Sequence, residues 1–388
     1  MTSEHDVIVV GGGPAGAATA LFLRQRGHDV VLLDEAHFPR DKVCGEGISP
    51  GAWELLEELG AGPKVRALAP HPLRGMALVS PEGAVVRGDY EGAHAGFAVR
   101  RDAFDAALLG VARDSDVRVL EGQRVIDIER VGERVTGVVT AEGRLKARLV
   151  VGADGRRSIV ARRLGLLREH ARLRKWAVRG HFEGMQGLEE RGEMHVGGGG
   201  YCGIAPLSRT RANVTFVLDK GEMRGGDLES FYHERLRAWP RIAERLEKAS
   251  LLAPPKAIGP LALVASRVSF PGGLLVGDAA GFYDPFTGEG VTLALRSAAL
   301  AARVAHEALG SRAPLSDYDA LRDAATRHKF RLNRLIQQIV ASPGLANFVG
   351  RRLLRRPSLA HQLVSIAGDL APAKSAFSWA FLRDFLAA

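Results

Sequence analysis

The chain has 388 residues, 46% hydrophobic and 25% charged, with 53 basic against 44 acidic side chains and a net charge of +9. That is enough chain for two or three domains with a large core, and the ordinary composition excludes a disordered or fibrous protein. Two cysteines exclude a disulfide framework and a metal-ligand spacing, no run of about eighteen apolar residues suggests a membrane-spanning helix, and no charged leader precedes the first strand, so a cytoplasmic protein is expected.

The first strong pattern is Asp6 to Asp34. Val7, Ile8, Val9 and Val10 predict a strand buried on both faces. Gly11, Gly13 and Gly16 follow at GxGxxG spacing, Pro14 to Arg26 predicts a helix, and Val30 to Leu33 a second parallel strand. Gly11 allows the tight turn, Gly13 lets a pyrophosphate approach the backbone, and Gly16 lets helix and strand pack closely. The helix start offers free N–H groups and the positive dipole end to phosphates. Asp34, ending the second strand, can accept hydrogen bonds from the ribose hydroxyls of an adenosine. Strand, turn, helix and acid in this order point to a dinucleotide, without choosing between FAD and NAD.

Phe38 to Ser49 (FPRDKVCGEGIS) predicts a ligand-hugging loop around Glu46, flanked by Gly45 and Gly47. Pro50 to Leu59 is helical, and Gly75 to Tyr90 a hairpin turning at Pro81-Glu82-Gly83. Asp102 is the expected N-cap of a helix running to Arg113. Strands follow at Val117–Leu120, Val125–Arg130, Val135–Thr140 and Leu145–Val151, then Gly152-Ala153-Asp154-Gly155 and a short helix from Ser158. Lys175 to Lys220 is strand-rich, with Gly197 to Gly200 as a loop, and belongs with the 75–90 hairpin. Asp227–Trp239 and Arg241–Lys248 are helical, and Leu261–Val268 returns to strand. A strand from Gly272 then ends in Gly277-Asp278, and DAAGFYDPFTGEGV leads into a helix from about Gly290 to Leu309. Ser316 onward is helical, with breaks at Pro343, Pro357 and Pro372.

The strand ending at Asp278 delivers a carboxylate to hydroxyls of a ribityl or ribose chain. Gly288 and Gly290 open backbone N–H groups at a helix start, where an anionic ring edge is stabilised. Taken together, GxGxxG with Asp34, Arg101 before Phe104-Asp105, GADGRRS and GDAAGFYDPFTGEG resemble the FAD-dependent para-hydroxybenzoate hydroxylase fold over roughly residues 5–310. The resemblance implies an α/β, Rossmann-like FAD-binding domain with an inserted antiparallel β-sheet substrate domain and C-terminal helices. Its expected pieces are 1–70, 98–172 and 262–315 for FAD, 71–97 and 173–261 for substrate, and 316–388 for the helices. The implied cofactor-binding residues are Gly11, Gly13, Pro14, Ala15, Gly16, Asp34, Glu35, Arg40, Cys44, Gly45, Arg101, Val125, Asp154, Gly155, Gly277, Asp278, Pro285, Gly288, Gly290 and Val291. In hydroxylases of this fold the Asp154 region also helps dock NAD(P)H, the implied electron donor.

Within that fold KVCGEGISP resembles the geranylgeranyl reductase subgroup, which reduces prenyl double bonds and carries a CGEG-type loop near the flavin. The subgroup's YxWxFPK segment aligns with Tyr201 to Leu207. Tyr201 and Pro206 agree, while Gly203, Ala205 and Leu207 stand in place of Trp, Phe and Lys. The wall has lost two rings and admits a bulkier or differently shaped substrate. The tryptophan signature of flavin-dependent halogenases is missing. The expected function is therefore an FAD-dependent oxidoreductase on a hydrophobic organic substrate, by reduction of a carbon–carbon double bond. Hydroxylation of an aromatic or polyketide-type substrate and a redox-silent FAD-binding partner are the alternatives. Cys44, Glu46 and Tyr201 are the candidate catalytic residues, with Cys44 and Cys202 each open to a second reading as a small buried hydrophobe. His181 and His195 are expected to be surface or core residues. No metal and no nucleic-acid partner is expected, since no aromatics interleave with the dispersed basic residues. The basic, amphipathic C-terminal helices could cover the active site, form a dimer contact or touch a membrane surface.

Overall fold

The computed structural model describes residues 4–92, 95–170, 173–223, 225–310 and 313–387. Strand His5–Val10 is covered on both faces, and Val7, Ile8 and Val9 have no exposed surface. It runs parallel to Val30–Leu33 on one side, with Val7 opposite Val30, and to Gly143–Gly152 on the other, with Val7 opposite Leu149. The sheet order is Ser269–Phe270, Gly273–Leu275, Gly143–Gly152, His5–Val10, Val30–Leu33 and Arg118–Leu120. Only the Ser269–Phe270 pairing is antiparallel along this path.

Helix α1 (Pro14–Gln25) joins the first two strands and is apolar nearly all round, as a helix packed on several neighbours must be. Helices α2 (Ala52–Glu58) and α3 (Gly62–Ala67) precede α4 (Arg101–Asp114), which packs on α1. Asp102 does not cap α4. The N-cap position is Arg100, Asp102 lies in the first turn paired with Arg100, and the Arg101 amide donates to Glu46 Oε1 at 3.1 Å. A cap from a residue so far away in sequence has no local signal. Helix α5 (Ile159–Arg163) is capped by the Ser158 hydroxyl, at 3.0 Å from the Ala161 amide.

The second large sheet is ordered Ser250–Leu251, Lys175–Glu183, Arg211–Asp219, Gly200–Pro206, Arg191–Gly197, Gly75–Val79 and Val85–Asp89. The early hairpin thus joins strands that arrive a hundred residues later, through a parallel pairing of Gly75–Val79 with Arg191–Gly197. The glycine run expected as a loop is a tight turn. Gly198 and Gly199 both have positive φ, 59° and 78°, so the hairpin closes in two residues. Helices α6 (Leu228–Leu236) and α7 (Pro240–Leu246) bury Phe231, Tyr232 and Ile242 against one face of this sheet. Cys202 belongs to that covered face, with Phe216 and Val178. It is completely buried, and burial, with Glu193 adding to it, pushes its thiol well above the ordinary range. A place for Cys202 in a substrate pocket is therefore corrected to a core role.

Helix α8 (Gly290–Leu309) lies on α1 and spans the residues its pattern predicts. Helices α9 (Asp317–Val340), α10 (Pro343–Arg355), α11 (Pro357–Ala367) and α12 (Trp379–Leu386) complete the chain. Pro343 and Pro357 open α10 and α11, because the first helical turn has no intrahelical use for the N–H that proline lacks. Of the expected Leu261–Val268 strand only Leu263–Ala265 is extended, paired with Leu167–Glu169 and Gly281–Phe282.

The tightest contact is where α1 meets the first strand. A Cβ at Gly16 would run into the Gly11 carbonyl oxygen and lie 3.2 Å from Ala153 Cβ. Gly110 in α4 meets only the end of the Lys64 side chain, at 3.4 Å. Gly16→Ala is therefore expected to lower stability by about 3 kcal/mol. Gly110→Ala should raise it by about 0.5–1 kcal/mol. Urea unfolding of the two variants beside the parent checks both.

Candidate active site

One cavity lies between the first sheet's loops and the inner face of the second sheet. The first side supplies Gly13, Pro14 and Ala15 at the start of α1, the 42–49 loop, Arg101, Ala153, Gly155, Arg156, Asp278 and the stretch holding Pro285, Gly288, Gly290 and Val291. Leu73, Met76, Ala177, Met194, Tyr201, Gly203, Ala205 and Val217 line the other.

Two helices begin at this cavity, and neither carries a side-chain cap. The N-cap of α1 is Gly13 and that of α8 is Glu289, and no side chain accepts from the first amides of either. Such ends suit anionic or strongly accepting ligand atoms. Beside Gly13 stand two guanidinium groups sharing one acid. Buried Asp105 takes a bidentate pair from Arg101, both bonds 2.8 Å, and lies 3.4 Å from Arg40. Burial opposes the Arg101 charge, but Asp105 outweighs it and holds its pKa above the ordinary value. Arg40 approaches Gly13 so closely that a Cβ there would be 3.4 Å from its nitrogen. Two positive groups against one negative leave an excess that matches a pyrophosphate. At the far side Lys42 stands 4.0 Å from Asp278.

Asp34 accepts from the Gly12 amide at 2.6 Å and from the Ala36 amide at 2.9 Å, which fixes its carboxylate behind the glycine turn. The turn itself needs its glycine. Gly11 has φ +102°, and a Cβ there would lie 2.6 Å from the Ala153 carbonyl oxygen. A dinucleotide-type cradle, an open helix start and a net positive rim fit FAD. The cradle residues would hold its adenosine and pyrophosphate, and Asp278, Gly288, Gly290 and Val291 its ribityl and ring.

The 42–49 loop is fastened by a buried carboxylate. Glu46 is 2% exposed and has φ +63°, a left-handed conformation that costs a non-glycine residue roughly 1–3 kcal/mol. Its Oε1 takes the Arg101 amide; its Oε2 takes His181 Nε2 at 2.7 Å and Asn213 Nδ2 at 2.9 Å. Asn213 also donates to the Cys44 carbonyl oxygen at 2.8 Å. His181 Nδ1 in turn accepts from Arg179 at 3.1 Å, so the tautomer carrying its proton on Nε2 satisfies both partners. Arg179 Nη2 donates to both oxygens of Asp41, at 3.0 and 2.7 Å, and Lys256 reaches the same carboxylate at 2.7 Å.

Sequence reasoning did not find this network, and the signal for it is faint. Arg179 and His181 occupy alternate positions of an otherwise apolar buried strand, and His181 is register-paired with Asn213. Polar groups on one face of a buried strand need partners.

Tyr201 presents its ring to the cavity but commits its hydroxyl, donating to Asp284 Oδ1 at 2.6 Å. Burial, reinforced by Asp284, raises the phenol well above its ordinary range. Tyr201, Gly203 and Ala205 alternate along one strand and all reach the cavity. At Gly203 the neighbouring Met194 closes in, its sulfur 3.3 Å from where a Cβ would be. Cys44 lines the cavity beside Arg101, and its sulfur accepts from the Glu46 amide at 3.4 Å.

Other expected cofactor residues stand back from the cavity wall. Glu35 is exposed and 3.4 Å from Arg124. Val125 is buried in the first core. Asp154 Oδ2 accepts from the Ile159 amide at 2.6 Å, supporting α5, while Oδ1 is buried with no hydrogen-bond partner among the described residues. Gly277 packs on Ala15. His195 bonds Glu193 at 2.8 Å, and Glu193 itself lines the cavity. No group of three or more His, Cys, Asp or Glu among the described residues is placed to hold a metal ion.

The chain matches the family described as FAD binding domain over residues 4–331. A menaquinone reductase of Mycolicibacterium smegmatis is 30% identical over 395 residues, covering 95% of this chain and 93% of that protein. Digeranylgeranylglycerophospholipid reductase 1 of Methanothermobacter thermautotrophicus is 31% identical over 327 residues, covering 80% and 79%. The solved structure of a flavin-dependent brominase superposes with a TM-score of 0.85, covering 99% of this chain and 98% of that one. Its 20% identity speaks for the fold alone.

Asp41 makes the fastening sensitive to acid. Burial alone would raise its pKa, but hydrogen bonds from Lys256 and Arg179 outweigh that and hold it at about 2, against an ordinary 3.8. The resulting stability is present above about pH 4 and is lost as pH falls toward 2. Asp41→Asn should cost about 1 kcal/mol at neutral pH, the carboxylate being partly open to solvent screening. In urea unfolding, its gap from the parent should close progressively between pH 4 and pH 2.

Proposed function

The chain belongs to the FAD binding domain family and is an FAD-dependent oxidoreductase; from that premise we propose that it reduces a carbon–carbon double bond in a long apolar, prenyl-type substrate. The observation that carries this reading is the inner wall of the second sheet. Met76, Met194, Val217 and Leu261 are apolar, and the Met76 and Met194 thioethers lie against Gly192 and Gly203. Two flexible thioether side chains make a wall that adapts to an irregular chain.

The polar groups on that side are already engaged: Glu193 by His195 and Arg245, the Thr215 hydroxyl by Asn213, and the Tyr201 hydroxyl by Asp284. A site for ring hydroxylation would use such a group to activate a phenol. Two of the similar proteins are named as reductases, of menaquinone and of digeranylgeranylglycerophospholipid, which supports the same substrate class.

Bound FAD supplies hydride transfer chemistry. A double bond that gains a hydride at one carbon needs a proton at the other, and the chain must provide it. In this reading Cys44 supplies it, since its side chain lines the cavity beside Arg101. The Glu46 fastening holds Cys44 against the sheet through Asn213. NAD(P)H is the electron donor in this reading.

The test is anaerobic incubation of the reduced holoenzyme with a geranylgeranyl-bearing lipid, followed by mass spectrometry. A gain of two hydrogens per double bond is expected. In a parallel aerobic incubation, a gain of one oxygen atom in place of two hydrogens would replace reduction by hydroxylation. Cys44→Ala should lower turnover about 100-fold or more while FAD content, read from the visible absorbance of the purified protein, stays unchanged.

A further inference from the structure

The end of the chain carries a surface that neither the fold nor the reaction uses. Among the described residues eleven large hydrophobic side chains are exposed, and eight of these lie between Leu335 and Leu386. On α12, Trp379, Leu382 and Leu386 recur at i, i+3 and i+7, which is one face of a helix. Trp379 is 87% and Leu386 68% exposed, while Phe381 turns inward to Leu353 and Leu359. Neighbouring α10 exposes Leu345 and Phe348, and the Phe348 ring meets Phe385 of α12 edge-on at 6.3 Å between centroids. The two helices therefore present one continuous patch.

Arginines share it. By helical spacing Arg351, Arg352 and Arg355 fall on the side of α10 that carries Leu345 and Phe348, and Arg383 falls beside Trp379 on α12. Arg352 lies 5.0 Å over the Phe348 ring and donates to the Leu386 carbonyl oxygen at 2.8 Å, tying the patch together. The acids nearby are already paired, Asp384 with Arg356 and Arg383, and Glu82 with Arg351.

An apolar stripe alone would suit a second copy of the chain as well as lipid. The arginines decide between them. Two such faces brought together place like charges against each other, whereas a layer of anionic headgroups neutralises them while the apolar side chains enter the acyl boundary. Tryptophan suits that boundary, with an apolar body and a polar edge. We propose that the α10–α12 face docks the protein on the surface of an anionic bilayer, with Trp379, Leu382 and Leu386 in the interface and the arginines on headgroup phosphates. The protein lies on the surface rather than spanning it: among the described residues no helix is long and apolar enough to cross a membrane.

Flotation of the FAD-loaded, full-length protein with vesicles tests this without reference to turnover. Binding is expected to phosphatidylglycerol–phosphatidylcholine vesicles, not to phosphatidylcholine alone, and should be lost at about 0.5 M salt. Trp379→Ser with Leu386→Ser, and separately Arg351→Gln with Arg383→Gln, should each weaken binding about tenfold or more. All these positions are exposed, so the visible absorbance of FAD and the thermal midpoint should stay at the parent's values. No flotation with anionic vesicles overturns the proposal. So does sedimentation showing a dimer that Trp379→Ser dissociates, since that would give the face to a second copy.

Discussion

The buried carboxylate of Glu46 is where the separate parts of this molecule are held together. One oxygen caps α4 through the Arg101 amide, and the other binds His181 and Asn213 on the second sheet. The residue is in a left-handed conformation, so the loop keeps its shape only while those partners are present. A buried carboxylate stripped of partners costs several kcal/mol, which makes the arrangement close to all-or-none. The Arg40–Asp105–Arg101 cluster sits at the same helix start, so the helix that anchors the loop also anchors the positive rim.

Around that clamp the cavity divides by chemistry. One side offers amides, guanidinium groups and carboxylates, whose energy comes from charge and hydrogen bonding. The other offers methionine, valine and leucine, whose energy comes from surface removed from water and is indifferent to direction. A ligand with one polar, precisely shaped body and a second with a long apolar body can then meet there, each recognised by the physics suited to it.

Much of this was legible in local patterns. The first strand, turn, helix and strand, the extent of α8, and the prolines that open α10 and α11 all follow from periodicity and backbone rules that act over a few residues. What local reasoning missed is what long-range contacts decide. Asp102 has the residue type of a cap, yet Glu46 supplies the cap from another part of the chain. Cys202 and Tyr201 are adjacent in sequence and opposite in fate, because neighbours on a strand point to opposite faces and α6–α7 cover only one of them. Which face faces the cavity cannot be read from the strand itself. The Gly203 and Ala205 positions, by contrast, were marked by comparison with an aromatic-rich segment, and their alternation with Tyr201 carries all three to the cavity.

The order of strands in the first sheet has a consequence for synthesis on the ribosome. His5–Val10, which leads into the glycine turn, needs Gly143–Gly152 beside it, and that strand in turn needs Gly273–Leu275. Helix α1 is covered by α8, which ends only at Leu309. A nascent chain therefore displays its nucleotide motif while that motif still borders an open, hydrophobic strand edge. The cradle becomes competent for its ligand only after α8 has emerged, and until then the β-branched run of His5–Val10 is the segment most in need of a chaperone.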